Sequence, residues 1–425
     1  MSEQSFVLKG DFCWSRDKDT VETRKNGFLV CVGGVSAGVF PVLPKEYEAL
    51  PLFDYSDKLI TPGLSDLHVH APQYAFRGLG MDLELLEWLD TNVFPEESKY
   101  SNLDYAKSAY SHFVEDMRKG PNTRAAVFAT VHPDATELLM DLFEASGLCT
   151  MVGKVNMDRN SPDSLREKNA EASEKATLSW LTRIAGKYKN TLPILTPRFI
   201  PSCSDDLMER LGKLQRAKGL PVQSHLSENM GEVAWVHELC PDAKFYGDAY
   251  NAFGLFGSGG KTIMAHCVLS EKPEREMMKK QGVYVAHCPQ SNVNLSSGVS
   301  PIRSFLDEGV NVGLGSDVAG GTVLSLFRAM ADAIGASKMR WRLQDQKLKP
   351  LTASEAFYLG TLGGGSFFGK VGSFEAGYEL DAIVLDDQRL TGPHDLTLQE
   401  RLERVIYMSE DHDVVHKFVR GTQLF

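Results

Sequence analysis

The sequence contains no C-x-x-C pair, and its seven cysteines are scattered and odd in number. That excludes a disulfide framework and points to reduced thiols in the cytoplasm. It also excludes the cysteine-ligated zinc deaminases, whose signature joins H-x-E to P-C-x-x-C; the "HCP" at His287 to Pro289 does not make that motif. Apolar runs long enough to cross a membrane are missing, and the charged opening "MSEQSFVLKGDFCWSRDKD" lacks the apolar stretch of a signal peptide. Neither a membrane nor secretion is therefore expected. Basic runs are missing too. With a formal net charge of -11, nucleic acid is not an expected partner, because phosphate binding needs clustered Lys and Arg.

What is present is an ordinary globular composition, 43% hydrophobic and 24% charged over 425 residues, enough chain for one large domain or two. Between about residues 60 and 340 short apolar runs alternate with amphipathic stretches. The runs are "KLITPGLSDLHVH" (58–70), "AAVFATV" (125–131), "CTMVGKVNM" (149–157) and "LPILTPRFI" (192–200), then "LPVQSHLS" (220–227), "KTIMAHCV" (261–268), "GVYVAHCP" (282–289) and "VNVGLGSD" (310–317). Segments such as 134–147 and 204–219 read as the helices between them. Buried parallel strands are continuous apolar runs, and their alternation with helices implies βαβ units. Eight units, at roughly 35 residues each, predict an α/β fold, a (β/α)8 TIM-like barrel.

Residues 81–100, "MDLELLEWLDTNVFPEESKY", belong to no unit; their apolar stripe of Leu83, Leu86, Trp88 and Phe94 fits a lid over the barrel mouth as well as a packed extra helix. Both termini carry short β-like runs. The economical reading is a small β-sandwich domain built from residues 1–60 and 370–425, with the metal-dependent barrel over 61–369.

In such a barrel the chemistry sits at the C-terminal ends of the strands. Strand 1 ends with His68 and His70, which alternation sends to one face. Strand 5 ends with His225 and, three residues on, Glu228; strand 6 ends with His266 and strand 8 with Asp317. Three imidazoles and a carboxylate suit zinc with a position left for water, although iron accepts the same donors. A metal lowers the pKa of its bound water to about 7. Glu228 can then carry a proton from water to substrate, while His266 and Asp317 orient the nucleophile and steady a tetrahedral intermediate. The expected chemistry is hydrolysis at an sp² carbon. His132 and His287 also end strands and can touch the site from behind; Lys154 would be needed only for a bridged second metal. His112, His237, His394, His412 and His416 lie off the strand ends and receive no role.

The joint occurrence of these motifs resembles the amidohydrolase superfamily, in the mononuclear branch that deaminates or dechlorinates heterocycles. More narrowly, "ITPGLSDLHVHAPQYAFRG", "LEWLDTNVFPEE", "VGKVNMD", "TPRF", "QSHLSEN", "AHCPQSNVNLSSG" and "GLGSDVAGG" are similar to the guanine deaminase family. The likeness runs from about residue 55 to 330. It implies zinc held by His68, His70, His225 and Asp317, catalysis by Glu228 and His266, and a purine held by Gln73, Arg198 and Phe199. It also implies a homodimer. The chemistry agrees: Arg198 can donate to a ring carbonyl, Gln73 offers donor and acceptor, and Phe199 and Trp88 give a flat ring an apolar face. Two other readings stand beside this one: the same chemistry on a pterin, another aminopurine or a triazine, or a catalytically silent relative that serves as a scaffold.

Overall fold

The computed structural model describes residues 5–425. Eight parallel strands form one sheet in chain order: Leu64–His70, Asn122–Phe128, Cys149–Gly153, Thr191–Pro193, Val222–Leu226, Thr262–His266, Tyr284–His287 and Asn311–Leu314. The last pairs with the first through Leu314 and Asp66. The fourth meets the fifth through a bridge between Leu195 and Val222, so the sheet closes into a barrel. Its interior is filled by Leu67, Ala126, Ile194, Ile263, Ala265, Ala286, Cys288 and Phe367. Four of the eight, Ala126, Ala265, Ala286 and Cys288, are small, which leaves room on a narrow axis for the larger four. Phe367 closes the end where the strands begin: its carbonyl accepts a hydrogen bond from Lys261, just ahead of the sixth strand, at 2.7 Å.

The first predicted run, 58–70, is two strands. Leu52–Pro62 belongs to a second sheet and Leu64–His70 to the barrel. The break falls at Gly63, where a Cβ would lie 2.2 Å from Thr123 Cγ2, so only glycine lets the chain change sheets there. The predicted helices occur as Pro133–Ser146 and Asp205–Lys218. The Ser204 side chain caps the latter, and Gly219 ends it at φ 64°.

Among the described residues both termini build a single seven-stranded sheet, with strands from Phe6–Ser15 through Leu52–Pro62 paired to Ala382–Leu385 and the C-terminal strands. The expected β-domain from both termini is thus present, its strands joined in one continuous sheet that brings Phe6 and Phe418, three strands apart in the order, to 5.2 Å between ring centroids. Phe6, Leu8, Phe12, Phe374, Val384 and Phe418 form the core on one face. On the other face, Cys13, Leu59 and Leu385 join the main core with Leu402 and Val405 of the helix Leu398–Met408. No helix among the described residues is long and apolar enough to cross a membrane.

Candidate active site

The rim at the C-terminal ends of the strands carries the predicted cluster. His68 and His70 point to one side of the first strand, with rings 4.8 Å apart. His70 Nε2 lies 3.2 Å from His68 Nε2 and 3.1 Å from His225 Nε2. Asp317 Oδ1 is 3.1 Å from His68 Nε2 and 3.5 Å from His70 Nε2. Donors held about 2.0–2.1 Å from one ion in a tetrahedron would be spaced about 3.3 Å apart. The cluster therefore has the spacing and the donor chemistry of a metal site.

Protonation supports the same reading. His225 Nδ1 donates to the Arg198 carbonyl at 2.6 Å, which leaves its Nε2 lone pair aimed into the cluster. Burial, reinforced by the neighbouring His68, holds both His70 and His225 well below the ordinary histidine range, so both rings are neutral and free to ligate. Burial pushes Asp317 up, but the neighbouring His68 and His266 rings, the former hydrogen-bonded to it, outweigh burial and keep the carboxylate below its usual range.

The second group of atoms suits proton transfer. His266 Nε2 is 3.3 Å from Glu228 Oε2 and 3.6 Å from Asp317 Oδ2. His266 Nδ1 meets Asn292 Oδ1 at 2.9 Å; since a carboxamide oxygen only accepts, Nδ1 carries the proton and Nε2 faces the cavity bare. Burial, then the charges of Asp317 and Glu232, lifts Glu228 well above the usual carboxylate range. Its Oε1 is buried without a hydrogen-bond partner. Backbone geometry at the rim is also unusual: Ser227, His266 and Asp317 adopt φ of 49°, 71° and 46°, a region non-glycine residues seldom occupy.

A cavity of about 410 Å³ joins the two groups to Gln73, Arg198, Phe199 and Trp88, with Leu85, Leu89, Leu295 and Glu232 completing its wall. His68 lies fully buried beneath it. A larger groove, about 2010 Å³ on the same measure, runs outside the mouth but has none of the histidine cluster in its lining. Residues 81–101 wall the cavity as a broken helix over Leu85–Trp88, Leu89–Val93 and Phe94–Glu97. Its inward residues are Leu85, Trp88, Leu89 and Phe94, whereas Leu83 and Leu86 of the predicted stripe are only partly buried.

A match to the family described as "Amidohydrolase family" spans residues 59–424. The chain belongs to the amidohydrolase family. Among its relatives, the guanine deaminase of Dictyostelium discoideum is 37% identical over 381 residues, covering 88% of this chain and 84% of that one. The guanine deaminase of Homo sapiens is 38% identical over 376 residues, covering 85% and 82%. Among solved structures, a guanine deaminase from C. acetobutylicum with bound guanine in the active site superposes with a TM-score of 0.96 at 45% identity, covering 99% of this chain and 100% of that one.

The residues of the amidohydrolase site are held by buried groups that the sequence did not single out. Glu97 is buried with Oε1 accepting from Gln73 Nε2 at 3.0 Å and Oε2 accepting from an Arg198 Nη1 at 2.6 Å. Asn292 orients His266. Glu232 accepts from the Glu228 backbone N–H at 3.0 Å and from the Tyr246 hydroxyl at 2.7 Å. Asp66 accepts from the backbone N–H groups of His68 and Ser316, tying the first strand to the last. One signal was available: Asp66 stands two residues ahead of His68 on the same strand face. Of the remaining candidates, His132 leads into the helix Pro133–Ser146, the His287 ring lies buried outside the cavity lining, and Lys154 is engaged by Glu167 and the Val155 carbonyl.

Proposed function

We propose that this amidohydrolase hydrolyses guanine to xanthine and ammonia, with zinc held by His68, His70, His225 and Asp317. The observation that carries the proposal is the opening of the histidine–aspartate cluster, the Glu228–His266 pair and the Arg198–Gln73 edge into one cavity. The family relatives act as a second support, since several are guanine deaminases.

The metal supplies a water acidic enough to lose a proton at neutral pH. All other steps belong to the chain. Arg198 donates to the C6 carbonyl and Gln73 contacts the ring edge, while Phe199 and Trp88 flank the ring and exclude solvent. Glu228 takes a proton from the water that adds at C2 and delivers it to ring N3; its high proton affinity suits a group that must hold a proton between two transfers. His266, with Nδ1 fixed by Asn292, presents Nε2 toward the new oxygen, which Asp317 flanks from the other side. In a second transfer Glu228 takes the remaining proton from the hydroxyl at C2 and passes it to the amine, so that the carbonyl forms as the amine leaves. The C–N bond breaks, ammonia leaves, and xanthine remains. Adenine offers no carbonyl to Arg198 and leaves a buried donor unpaired, so it is a poor substrate. A cytoplasmic homodimer belongs to the same proposal: seven scattered cysteines with no C-x-x-C pair support the compartment, and the family likeness supports the dimer.

The test is the ultraviolet change from guanine to xanthine, followed with zinc-loaded protein. Turnover that a chelator removes and zinc restores is expected. A folded, zinc-loaded protein that leaves guanine unchanged but turns over a pterin or triazine would overturn the substrate and leave the site.

A further inference from the structure

Glu97 stands 101 residues from Arg198 in sequence, on the segment that belongs to no barrel unit, yet its carboxylate joins both recognition residues. Arg198 and Glu97 are 4% and 2% exposed at their side chains. A lone guanidinium at that depth would be a strong attractor for any anion; beside Glu97 the pair carries no net charge. Glu97 also settles the Gln73 carboxamide. Nε2 donates to Glu97 Oε1, and Oε1 accepts from the Ala319 backbone N–H at 3.3 Å. The opposite orientation would set the Gln73 oxygen against a carboxylate and its amine against an N–H. One N–H and one lone pair of Gln73 therefore remain for a ring. Arg198 is steadied further by the Phe94 ring, 5.3 Å from its guanidinium carbon and three residues from Glu97.

We propose that Glu97 is a specificity-determining positioning residue: it fixes the donor–acceptor pattern of Gln73 and Arg198 and cancels the charge of Arg198, so that the cavity selects a neutral oxopurine over an anionic one. This inference rests on the reading of the cavity as a guanine site. Removal of Glu97 frees Gln73 to flip and leaves Arg198 as a bare cation. Neutral guanine then loses its fit while an anionic oxopurine gains a counter-ion. The consequence reaches the product as well, because xanthine is a weaker base and a stronger acid than guanine and a cationic pocket would retain it.

The probe is urate, an oxopurine with a C6 carbonyl that is an anion at neutral pH. For zinc-loaded wild type, Glu97→Gln and the double variant Glu97→Gln/Arg198→Gln, we would measure kcat and KM for guanine and Ki for urate and xanthine. Thermal melts and zinc content would be recorded beside them. In Glu97→Gln, KM for guanine is expected to rise by about tenfold or more with a smaller change in kcat. Urate inhibition tightens over the same step, so the ratio of Ki(urate) to KM(guanine) falls by more than tenfold. The double variant, which restores a neutral pair, loses the gain for urate but not the loss for guanine. Equal weakening of guanine and urate in Glu97→Gln, at unchanged melting and zinc content, would reduce Glu97 to a structural role and overturn the inference. If Glu97→Gln does not fold, Glu97→Asp decides instead, since it keeps the charge but is too short to hold both Gln73 and Arg198: wild-type KM for guanine in it overturns the inference. A wild type inactive on guanine would instead defeat the substrate reading, and urate binding by calorimetry would still report on Glu97.

Discussion

The barrel mouth and the seam where the barrel meets the terminal sheet bury charged groups in opposite ways. At the seam the charged side chains of Arg124, Arg401 and Lys417 are ion-paired or hydrogen-bonded. Arg124, 6% exposed at its side chain, reaches Asp381 through Nε at 2.7 Å and Glu379 through Nη2 at 2.8 Å. Arg401 joins Asp11 and Asp387, and Lys417 donates to the carbonyls of Met117 and Asn122. At the mouth, imidazole nitrogens face one another, Glu228 Oε1 and the Nδ1 atoms of His68 and His70 have no partner, and non-glycine residues hold positive φ. Unsatisfied groups are costly and are kept where a ligand will satisfy them. The seam is built for stability, the mouth for a reaction, and substitutions in the two regions should separate the two properties.

The largest effect is expected at the mouth. Glu228→Gln keeps the size of the side chain but removes its proton traffic, so kcat for guanine should fall by about 10²–10⁴-fold. Zinc content and melting temperature should stay near wild type, because the replaced carboxylate is already a poorly satisfied buried group. Steady-state kinetics with metal analysis checks both halves. Turnover within a few-fold of wild type would remove Glu228 from the mechanism.

At the seam the expectation reverses. Arg124→Met leaves Asp381, fully buried, without its counter-ion, and breaking such a pair costs about 3–5 kcal/mol. The melting temperature should drop clearly, while KM for guanine, measured well below the transition, should not move. An unchanged melting temperature would show that the seam contributes nothing to stability. A raised KM with normal stability would erase the division of labour between the two regions.

The same contrast explains what could be read from the sequence. Alternation alone placed His68 and His70 on one face, and the strand-end rule collected His225, Glu228, His266 and Asp317, because these rest on local periods and on the sense of parallel strands. The eight runs survived folding with shifted ends, except that Gly63 cuts 58–70 between two sheets and that 149–157 and 192–200 each leave a short strand, Val155–Asn156 and Thr196–Pro197, paired in a sheet of their own. Glu97 was not legible as a buried group. A carboxylate in a helix-like segment normally faces water, and only the approach of Arg198 from another strand makes its burial favourable. Arg124 and Asp381, 257 residues apart, are hidden from sequence for the same reason. Local pattern carries backbone and metal-type ligands; pairings across the fold carry specificity and stability.

The smallest predicted effect lies in the seam and concerns pH. Burial pushes Lys417 down from its ordinary 10.5 to about 7. Above pH 7 the folded chain has released this proton while the unfolded chain still holds it, so the unfolded state binds more protons and stability rises with pH. Below about pH 7 both states are protonated and the cost of burying the charge is fully present. The clean window is about pH 7.5–8.5. Below it, Asp66 and Glu232, which burial lifts to about 7, give up protons in the folded state and pull stability the other way. Above it, unfolded thiols begin to ionise near 8.5, while burial holds those of Cys13, Cys149 and Cys203 up to about 12. Within the window wild type should gain up to about 1.4 kcal/mol per pH unit relative to Lys417→Met. In a chain of this size that is a differential melting shift of about one or two degrees. Lys417→Met should be less stable at every pH, because the Met117 and Asn122 carbonyls lose their donor; the difference in slope is the signal. Parallel slopes for the two proteins would mean that Lys417 keeps its proton in the folded state, and the seam would then hold a buried ammonium satisfied by two carbonyls alone.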